Sequence, residues 1–278
     1  MKKINRRSFL AAAGLTAAAL ALTACGGSAS STASSTASSA ASSEAASTSA
    51  AAELTTVEAG KLTMATNAAF PPYEMTTDAG EFEGIDIDTA KAIAEKLGLE
   101  LQIDDMDFDA ALLSVQQGKA DIVMAGVTVT DERKAVIDFS DSYATGIQSI
   151  IVPEGSDITS PDDLAGKKIG TQRGTTGYIY CSDDFGDDAV VAYDDGLTAV
   201  QALNNGQVDA VVIDNAPAKE FVAANPGLVI LDTSYAEEDY AIGLAKGSAL
   251  EDAVNAALEE LKADGTLQSI VDKYITAE

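Results

Sequence analysis

One pattern of apolar and polar positions occurs twice along the chain, at starting points that are 88 residues apart. The stretches "ALLSVQQGKADIVMAG" (111–126) and "AVQALNNGQVDAVVID" (199–214) align without a gap. Each has apolar residues at helical spacing, followed by two amides, a glycine, an aspartate and a short β-branched run. Each stretch therefore predicts a helix that ends at the glycine, Gly118 or Gly206, and a strand that follows it.

The segments that precede the two stretches extend this similarity. Strands are predicted at 61–66, 99–103, 167–172 and 189–193, and helices are predicted at 88–97 and from about Thr175 onward. Both halves then follow the order β-α-β-α-β, which predicts an α/β fold with two parallel-sheet lobes of similar plan. Ligands bind such sheets beyond the carboxyl ends of the strands, often in a cleft between domains. Gly126 and Asp214 end the two aligned stretches, so we expect both to face one cleft.

The first 24 residues are typical of a secretory signal peptide. Four cations, two lysines and two arginines, precede an apolar stretch that is too short to span a membrane. Cys25 follows directly, and "LTAC" resembles a bacterial lipobox, in which the cysteine is lipidated and becomes the mature N-terminus. An ordinary secretory signal with a chance cysteine is the alternative. "NRRSFL" is similar to a twin-arginine export signal, which leaves the export route open.

Residues 25–53 are predicted to be a flexible tether behind the lipidated cysteine. From Ser28 to Ala52 every residue except Glu44 is Ser, Ala or Thr. Such a composition cannot bury an apolar core, so the folded part is expected to begin at Leu54.

Composition excludes several functions. The chain has 278 residues, a formal net charge of −27 and no histidine. Binding to nucleic acid or anionic lipid by charge is therefore unfavourable, and histidine-based catalysis and histidine metal sites are impossible. Cys181 is the one cysteine besides Cys25, so no disulfide is expected. We expect no metal and no cofactor.

A carboxylate receptor is predicted at the end of the first aligned stretch. In "AGVTVTDERK", Gly126 leaves the backbone unhindered, Thr128 offers a hydroxyl, Thr130 is a helix N-cap, and Arg133 lies in the first helical turn. The planar fork of an arginine suits a carboxylate because it donates two parallel charge-assisted hydrogen bonds. The alternative is that Arg133 pairs with a nearby aspartate at position 131, 138 or 141.

The second half supplies groups that would complete a binding site. Thr175 and Thr176 begin a helix whose free N–H groups favour an anion, although a routine N-cap is the alternative. Asp214 ends a strand that faces the cleft, where an aspartate is costly unless a cation arrives. Its alternative role is to cap the turn "DNAP". Together, a carboxylate receptor and an opposing carboxylate match the zwitterion of a free α-amino acid.

Aromatic residues near the strand ends are candidates for the walls of the site. Phe70 and Tyr73 lie on a proline-containing loop after the first strand, and Phe108 opens the second helix. Isolated aromatic residues usually belong to the core, but three at this edge can surround a ligand side chain.

Seven segments, in order, resemble the polar amino acid family of bacterial extracellular solute-binding proteins, which have the type-II periplasmic binding fold and serve ABC importers. The segments are "FPPYE", "GIDIDTAKAIAEKLG", "MDFDAALLSVQQGKADIVMAGVTVTDERK", "IDFSDSY", "SPDDLAGKKIGTQRGTT", "VDAVVIDN" and "ADGTLQSIVDKY". The resemblance implies two lobes joined by a two-strand hinge, with crossings near Ala144 to Gln148 and near Glu238 to Ala241. It implies lobe 1 from 54–144 and 241–278, and lobe 2 from 145–240.

The resemblance also implies the ligand contacts. They are Phe70 and Phe108 for stacking; Gly126, Thr128, Arg133, Thr175 and Thr176 for the α-carboxylate; and Asp214 for the α-ammonium. Asn67 stands where relatives that bind basic or glutamine side chains often have an aspartate. This departure makes neutral polar side chains, such as those of glutamine or cystine, comparable candidates to basic ones.

The sequence as a whole predicts a receptor and not an enzyme. We expect a monomeric lipoprotein, held outside the cytoplasm by its lipid anchor, that delivers an L-amino acid to a membrane permease. A dehydratase acting on prephenate or arogenate is the first alternative, because some enzymes of this kind have a similar fold. The ligand-sensing component of a signalling system is the second, and an adhesin or structural lipoprotein is the third.

Overall fold

The computed structural model describes residues Leu54 to Ile275. The predicted signal peptide, Cys25 and the Ser/Ala/Thr-rich segment lie outside the described residues. Within the described range, no helix has both the length and the apolar character needed to cross a bilayer.

The described chain alternates short strands and helices. The first ten elements are β1 (Lys61–Thr66), β2 (Ala69–Phe70), β3 (Glu74–Thr76), β4 (Phe82–Glu83), α1 (Ile85–Leu97), β5 (Glu100–Asp105), α2 (Phe108–Gln116), β6 (Ile122–Val123), α3 (Asp131–Lys134) and β7 (Ile137–Phe139). The next seven are β8 (Ala144–Pro153), β9 (Ile169–Gln172), α4 (Thr176–Phe185), β10 (Val190–Tyr193), α5 (Gly196–Asn204), β11 (Ala210–Asp214) and α6 (Asn215–Ala224). The last five are β12 (Leu228–Ile230), β13 (Ala236–Tyr240), β14 (Gly243–Ala245), α7 (Glu251–Ala263) and α8 (Thr266–Tyr274). Short 3₁₀ helices occur at Pro161–Leu164 and Asp187–Ala189.

Two sheets form the centres of two lobes. The first has the order β5-β1-β6-β14-β7, and the second has the order β10-β9-β11-β8-β12 with β13 beside β8. In each lobe three strands run parallel, β5-β1-β6 and β10-β9-β11, which confirms the predicted α/β plan. The other strands of the two sheets join antiparallel, which the repeat did not predict, because they come from the connecting segments outside it. A small antiparallel sheet, β2-β3-β4, adjoins the first lobe in sequence.

The chain passes between the lobes twice. It leaves the first sheet after β7 and enters the second as β8, and it returns from β13 to β14. Strands β8 and β13 pair antiparallel from Ala144↔Tyr240 to Gln148↔Ala236. This two-strand ribbon is the hinge that the sequence resemblance implied.

An aspartate fixes the same strand contact in both lobes. Asp121 accepts a hydrogen bond from the Thr63 N–H at 2.8 Å and donates its own N–H to the Thr63 carbonyl at 2.9 Å. Asp209 makes the same two contacts with Lys168, at 2.7 and 2.8 Å. The aspartates are equivalent residues of the aligned stretches, so the sequence repeat is also a repeat of local geometry.

The helices cover the sheets with their apolar stripes. Helix α1 buries Ala90, Ile93 and Ala94, and α7 buries Val254 and Leu258 in the same apolar cluster. Helix α1 starts at Ile85, three residues before the predicted start, because Ile85 and Ile87 also point into the core. Acidic residues in its first turn favour this earlier start through the helix dipole.

Replacing Asp121 by alanine is expected to lower the free energy of unfolding by about 3 kcal/mol, because two N–H groups lose a charged acceptor. Besides Thr63, Asp121 accepts from the Val57 N–H at 2.7 Å, and its side chain is buried. Asp209→Ala is the matched control: Asp209 is exposed, so we expect a loss of about 1 kcal/mol or less. Urea unfolding followed by circular dichroism measures both values, and equal losses would contradict the role of burial.

Candidate functional site

A cavity lies between the two lobes, where small-molecule sites are often found. It lies beyond the carboxyl ends of β1, β6, β9 and β11, as the topology of parallel sheets predicts. Its lining residues are Asn67, Phe70, Glu74, Phe108, Ala125, Gly126, Thr128, Arg133, Gln148, Gln172, Thr175, Thr176, Val212, Ile213, Asp214 and Tyr240. All nine ligand-contact residues that the sequence predicted are in this set.

Arg133 is a buried cation on the lobe 1 side of the cavity. Helix α3 presents it from its first turn, where the Thr130 hydroxyl accepts the Arg133 N–H at 3.2 Å. The guanidinium donates to the Thr128 carbonyl at 2.8 Å and, across the cleft, to the Gly174 carbonyl at 3.1 Å. It also lies over the Phe108 ring, 5.3 Å from the centroid. These contacts fix the orientation of the guanidinium group.

Among the described residues, no carboxylate lies at ion-pair distance from Arg133. The pairing with a neighbouring aspartate, which was the alternative in the sequence, is therefore not formed; Asp138 pairs with Lys246 instead. Burial lowers the pKa of Arg133, and the negative charge of Glu238 opposes that effect. An arginine stays protonated in proteins and has five N–H donors. The guanidinium therefore keeps donors for an anion in the cavity.

Asp214 is a buried anion on the lobe 2 side. As N-cap of α6 it accepts from the Ala216 N–H at 3.0 Å. Its other oxygen accepts from the Ile147 N–H at 2.8 Å and from the Tyr240 hydroxyl at 2.7 Å. Burial raises the pKa of Asp214 to about 6, although these three hydrogen bonds lower it. The capping alternative is thus confirmed, but a cap with neutral donors leaves the carboxylate able to receive a cation.

The first turn of α4 borders the cavity opposite α3. Thr175 is the N-cap: it accepts from the Tyr178 N–H at 3.4 Å and donates to the Gln172 carbonyl at 2.8 Å. Thr176 is the first helical residue, and the N–H of a first-turn residue has no acceptor within its helix. This end of α4 therefore favours an anion.

Gly126 can be no other residue without a shift of its neighbours. Its φ is +54°, and a Cβ at this position would lie 2.8 Å from Cε1 of Phe70. Its N–H donates to the buried carboxylate of Asp86 at 2.9 Å. Burial raises the pKa of Asp86 to about 6 and raises the pKa of the adjacent Glu74 well above its usual value. Asp86 therefore holds the Gly126 backbone in place beside the Phe70 ring.

The aromatic walls differ in part from the expectation. Phe70 and Phe108 line the cavity, whereas Tyr73 does not. Tyr73 lies behind the wall, stacked on Phe70 at 5.8 Å and edge-on to Tyr240 at 5.4 Å between ring centroids. It supports the aromatic wall because its ring faces the core.

Asn67 forms a polar contact between the lobes. Its Oδ1 accepts from Nε2 of Gln172 at 2.8 Å, and its Nδ2 donates to the Met106 carbonyl at 3.0 Å. Gln172 also donates to the Asp194 carbonyl at 3.2 Å. Two neutral amides therefore form this part of the cavity.

Sequence reasoning missed several residues that belong to the site. Gln172 was within the quoted segment "SPDDLAGKKIGTQRGTT", and its place at the end of a predicted strand was a usable signal. Gln148 and Tyr240 are on the hinge strands β8 and β13, for which the repeat gives no orientation. Glu74 and Glu238 were also missed, because a buried glutamate cannot be told from a surface one by composition alone.

The sequence matches the model of the bacterial extracellular solute-binding proteins, family 3, over residues 62–277. The "probable histidine-binding protein" of Neisseria gonorrhoeae is 32% identical over 283 residues, which cover 99% of this chain and 98% of the relative. The "L-cystine-binding protein TcyJ" of Escherichia coli K12 is 33% identical over 80% of this chain and 85% of its own. A solved structure, "an ancestral arginine-binding protein bound to glutamine", is 43% identical with a TM-score of 0.75, covering 78% of this chain and 99% of its own.

Replacing Tyr240 by phenylalanine is expected to raise the pKa of Asp214 above 6 by about one unit, because the ionised carboxylate loses a hydrogen bond. Carbon-13 NMR titration of labelled aspartate carboxyls measures this shift. Tyr73→Phe is the control, since the Tyr73 ring packs on Tyr240 but its hydroxyl donates no hydrogen bond to Asp214. An unchanged Asp214 titration in Tyr240→Phe would show that the hydroxyl does not stabilise the charge.

Proposed function

Because the chain belongs to family 3 of the bacterial extracellular solute-binding proteins, we propose that it is the substrate-binding component of an ABC-type amino acid importer. In this function it captures a free L-amino acid between its two lobes and delivers it to a membrane permease. The observation that carries the proposal is a pair of buried, opposite charges in one cavity. Among the described residues, neither Arg133 nor Asp214 has an ion-pair partner.

A free α-amino acid supplies both missing partners. Its α-carboxylate fits Arg133, with the N-terminal turn of α4 at Thr175 and Thr176 as a second donor group. Its α-ammonium fits the carboxylate of Asp214. The ligand thereby contacts groups of both lobes. A ligand that binds the closed arrangement more tightly than the open one drives closure of the hinge.

The side-chain end of the ligand is proposed to be polar or basic. Phe70 and Phe108 offer apolar faces on which the ligand can stack, and the amides of Asn67 and Gln172 offer neutral hydrogen bonds. The relatives support this range, since they are named for histidine, cystine and arginine, and one structure holds glutamine. The neutral amide at Asn67 keeps glutamine-like and cystine-like ligands beside the basic ones.

We propose that the mature protein is a monomer, anchored outside the cytoplasm by lipid on Cys25. The predicted signal peptide and the lipobox-like "LTAC" support this proposal, and the family description as extracellular agrees with it. We also propose the lobe boundaries 54–144 with 241–278, and 145–240. The relatives are named as binding proteins, which supports a protein without enzymatic activity.

A thermal-shift panel of the twenty amino acids, cystine and ornithine is expected to raise the melting temperature for a small group of polar or basic L-amino acids. A ligand at 100 times its dissociation constant adds about 2.7 kcal/mol to the free energy of unfolding. The D-enantiomers are the control, because they cannot present the three groups in the same arrangement. A panel without any shift would contradict the proposed function.

Arg133→Ala is expected to weaken binding of the ligand by about two to four decades, because a desolvated carboxylate loses its cationic partner, at a cost of about 3 to 5 kcal/mol. Isothermal titration measures the change. Arg173→Ala is the control: Arg173 lies between β9 and α4, next to Gly174, but it is exposed, with a long contact of 3.8 Å to Asp194, and its loss should leave affinity unchanged. A loss below tenfold in Arg133→Ala would show that another group binds the carboxylate.

A further inference from the structure

Glu238 is a buried carboxylate that none of the contacts proposed above uses. It lies on the hinge strand β13, and its side chain is 7% exposed, whereas its neighbours Glu237 and Asp239 are exposed on the other face of the strand. Glu238 does not line the cavity itself. It lies directly behind residues that do.

One oxygen of Glu238 accepts hydrogen bonds from three side chains of the cavity wall. The Thr176 hydroxyl donates to Oε2 at 2.9 Å, the Gln148 amide donates at 3.0 Å, and the Thr128 hydroxyl donates at 3.1 Å. Thr128 comes from lobe 1, and the other two come from lobe 2. The hinge carboxylate therefore joins groups of both lobes behind the binding cavity.

Thr128 and Thr176 each have a single hydroxyl proton, which they donate to Glu238. An ionised carboxylate can only accept hydrogen bonds, and a threonine hydroxyl has one proton to donate. When Thr128 and Thr176 donate to Glu238, they have only lone pairs left for the cavity. The two hydroxyl oxygens are 3.5 Å apart. One donor group of a ligand, placed between them, can therefore donate a hydrogen bond to each.

We propose that Glu238 is a positioning residue that makes this part of the wall specific for the ammonium group of the ligand. The inference rests on the proposed function and deepens it. Glu238 turns two hydroxyls, which otherwise donate or accept, into acceptors that face a donor. The negative charge of Glu238 adds to that of Asp214 and favours a cationic donor over a neutral one.

This inference changes one expectation from the sequence. The Thr128 hydroxyl was expected to bind the α-carboxylate, but its proton is committed to Glu238. The carboxylate is left to Arg133 and the N-terminal turn of α4, while the hydroxyls of Thr128 and Thr176 join Asp214 in holding the ammonium. Thr176 thereby offers its N–H to the carboxylate and its hydroxyl oxygen to the ammonium.

Discrimination between an amino acid and its 2-hydroxy acid tests the inference. The hydroxy acid keeps the carboxylate and the side chain but replaces the ammonium by a neutral group. The probe pairs are L-arginine with argininic acid, L-histidine with imidazolelactic acid, and L-glutamine with 2-hydroxyglutaramic acid. Isothermal titration gives the affinity ratio of each pair for the wild type and the variants.

Glu238→Gln is expected to reduce this ratio by at least about tenfold, because the new amide donates, and a hydroxyl then turns its proton to the cavity. Glu237→Gln, with the same charge change on the exposed face, should leave the ratio unchanged. Thr128→Val, which removes one of the acceptors and keeps the shape, should also reduce the ratio. This variant decides the matter if Glu238→Gln does not fold.

The outcomes separate this inference from the proposed function. If the wild type binds one of the three amino acids and both variants keep the wild-type ratio, Glu238 has no role in ammonium specificity and the inference is wrong. A merely structural role would weaken both members of a pair equally and would give this same result. If the wild type binds none of the three amino acids, the proposed function fails for these ligands, and the inference fails with it.

Discussion

The site depends on a buried guanidinium that has carbonyl partners but no carboxylate among the described residues. Arg133 donates to one carbonyl of each lobe, those of Thr128 and Gly174, and stacks on Phe108. Carbonyl oxygens orient the group without neutralising it, so the charge is available to a ligand. A carboxylate partner within the protein would have satisfied the arginine and removed the reason for binding. The capped helix α3 presents the guanidinium, and the turn at Gly126 and the first turn of α4 line the same cavity.

Within the cavity, the contacts between the lobes are polar and few in number, which suits a cleft that opens and closes. Asn67 meets Gln172 through amides, and Glu238 collects hydroxyl and amide protons from both lobes. Water can replace such hydrogen bonds when the lobes separate, at a small net cost. Opening an apolar interface would cost more free energy, because it would expose apolar surface to water. The β8–β13 ribbon connects the two sheets as a hinge.

The fold could be predicted from the sequence because its signals are local. Helical spacing, the glycines after each helix and the aspartates that open the next strands recur in both halves, and Asp121 and Asp209 make the same contacts in the structure. Arg133 and Asp214 could be found because a charged residue close to the end of a strand in either lobe is expected to face the cleft between the lobes. Tyr73 was assigned to the wall because its distance along the chain from Phe70 does not show which ring faces the cavity.

The sequence by itself determined the α/β plan, the repeat, the family resemblance and the charged groups at the strand ends. Only the tertiary structure decided what the polar residues of the hinge do. Gln148 and Glu238 are far apart in sequence and lie on strands whose pairing no local pattern reveals, yet they meet Thr128 and Thr176 behind one wall. The direction of a hydroxyl proton depends on its acceptor. That acceptor is brought into place by the antiparallel pairing of two distant strands.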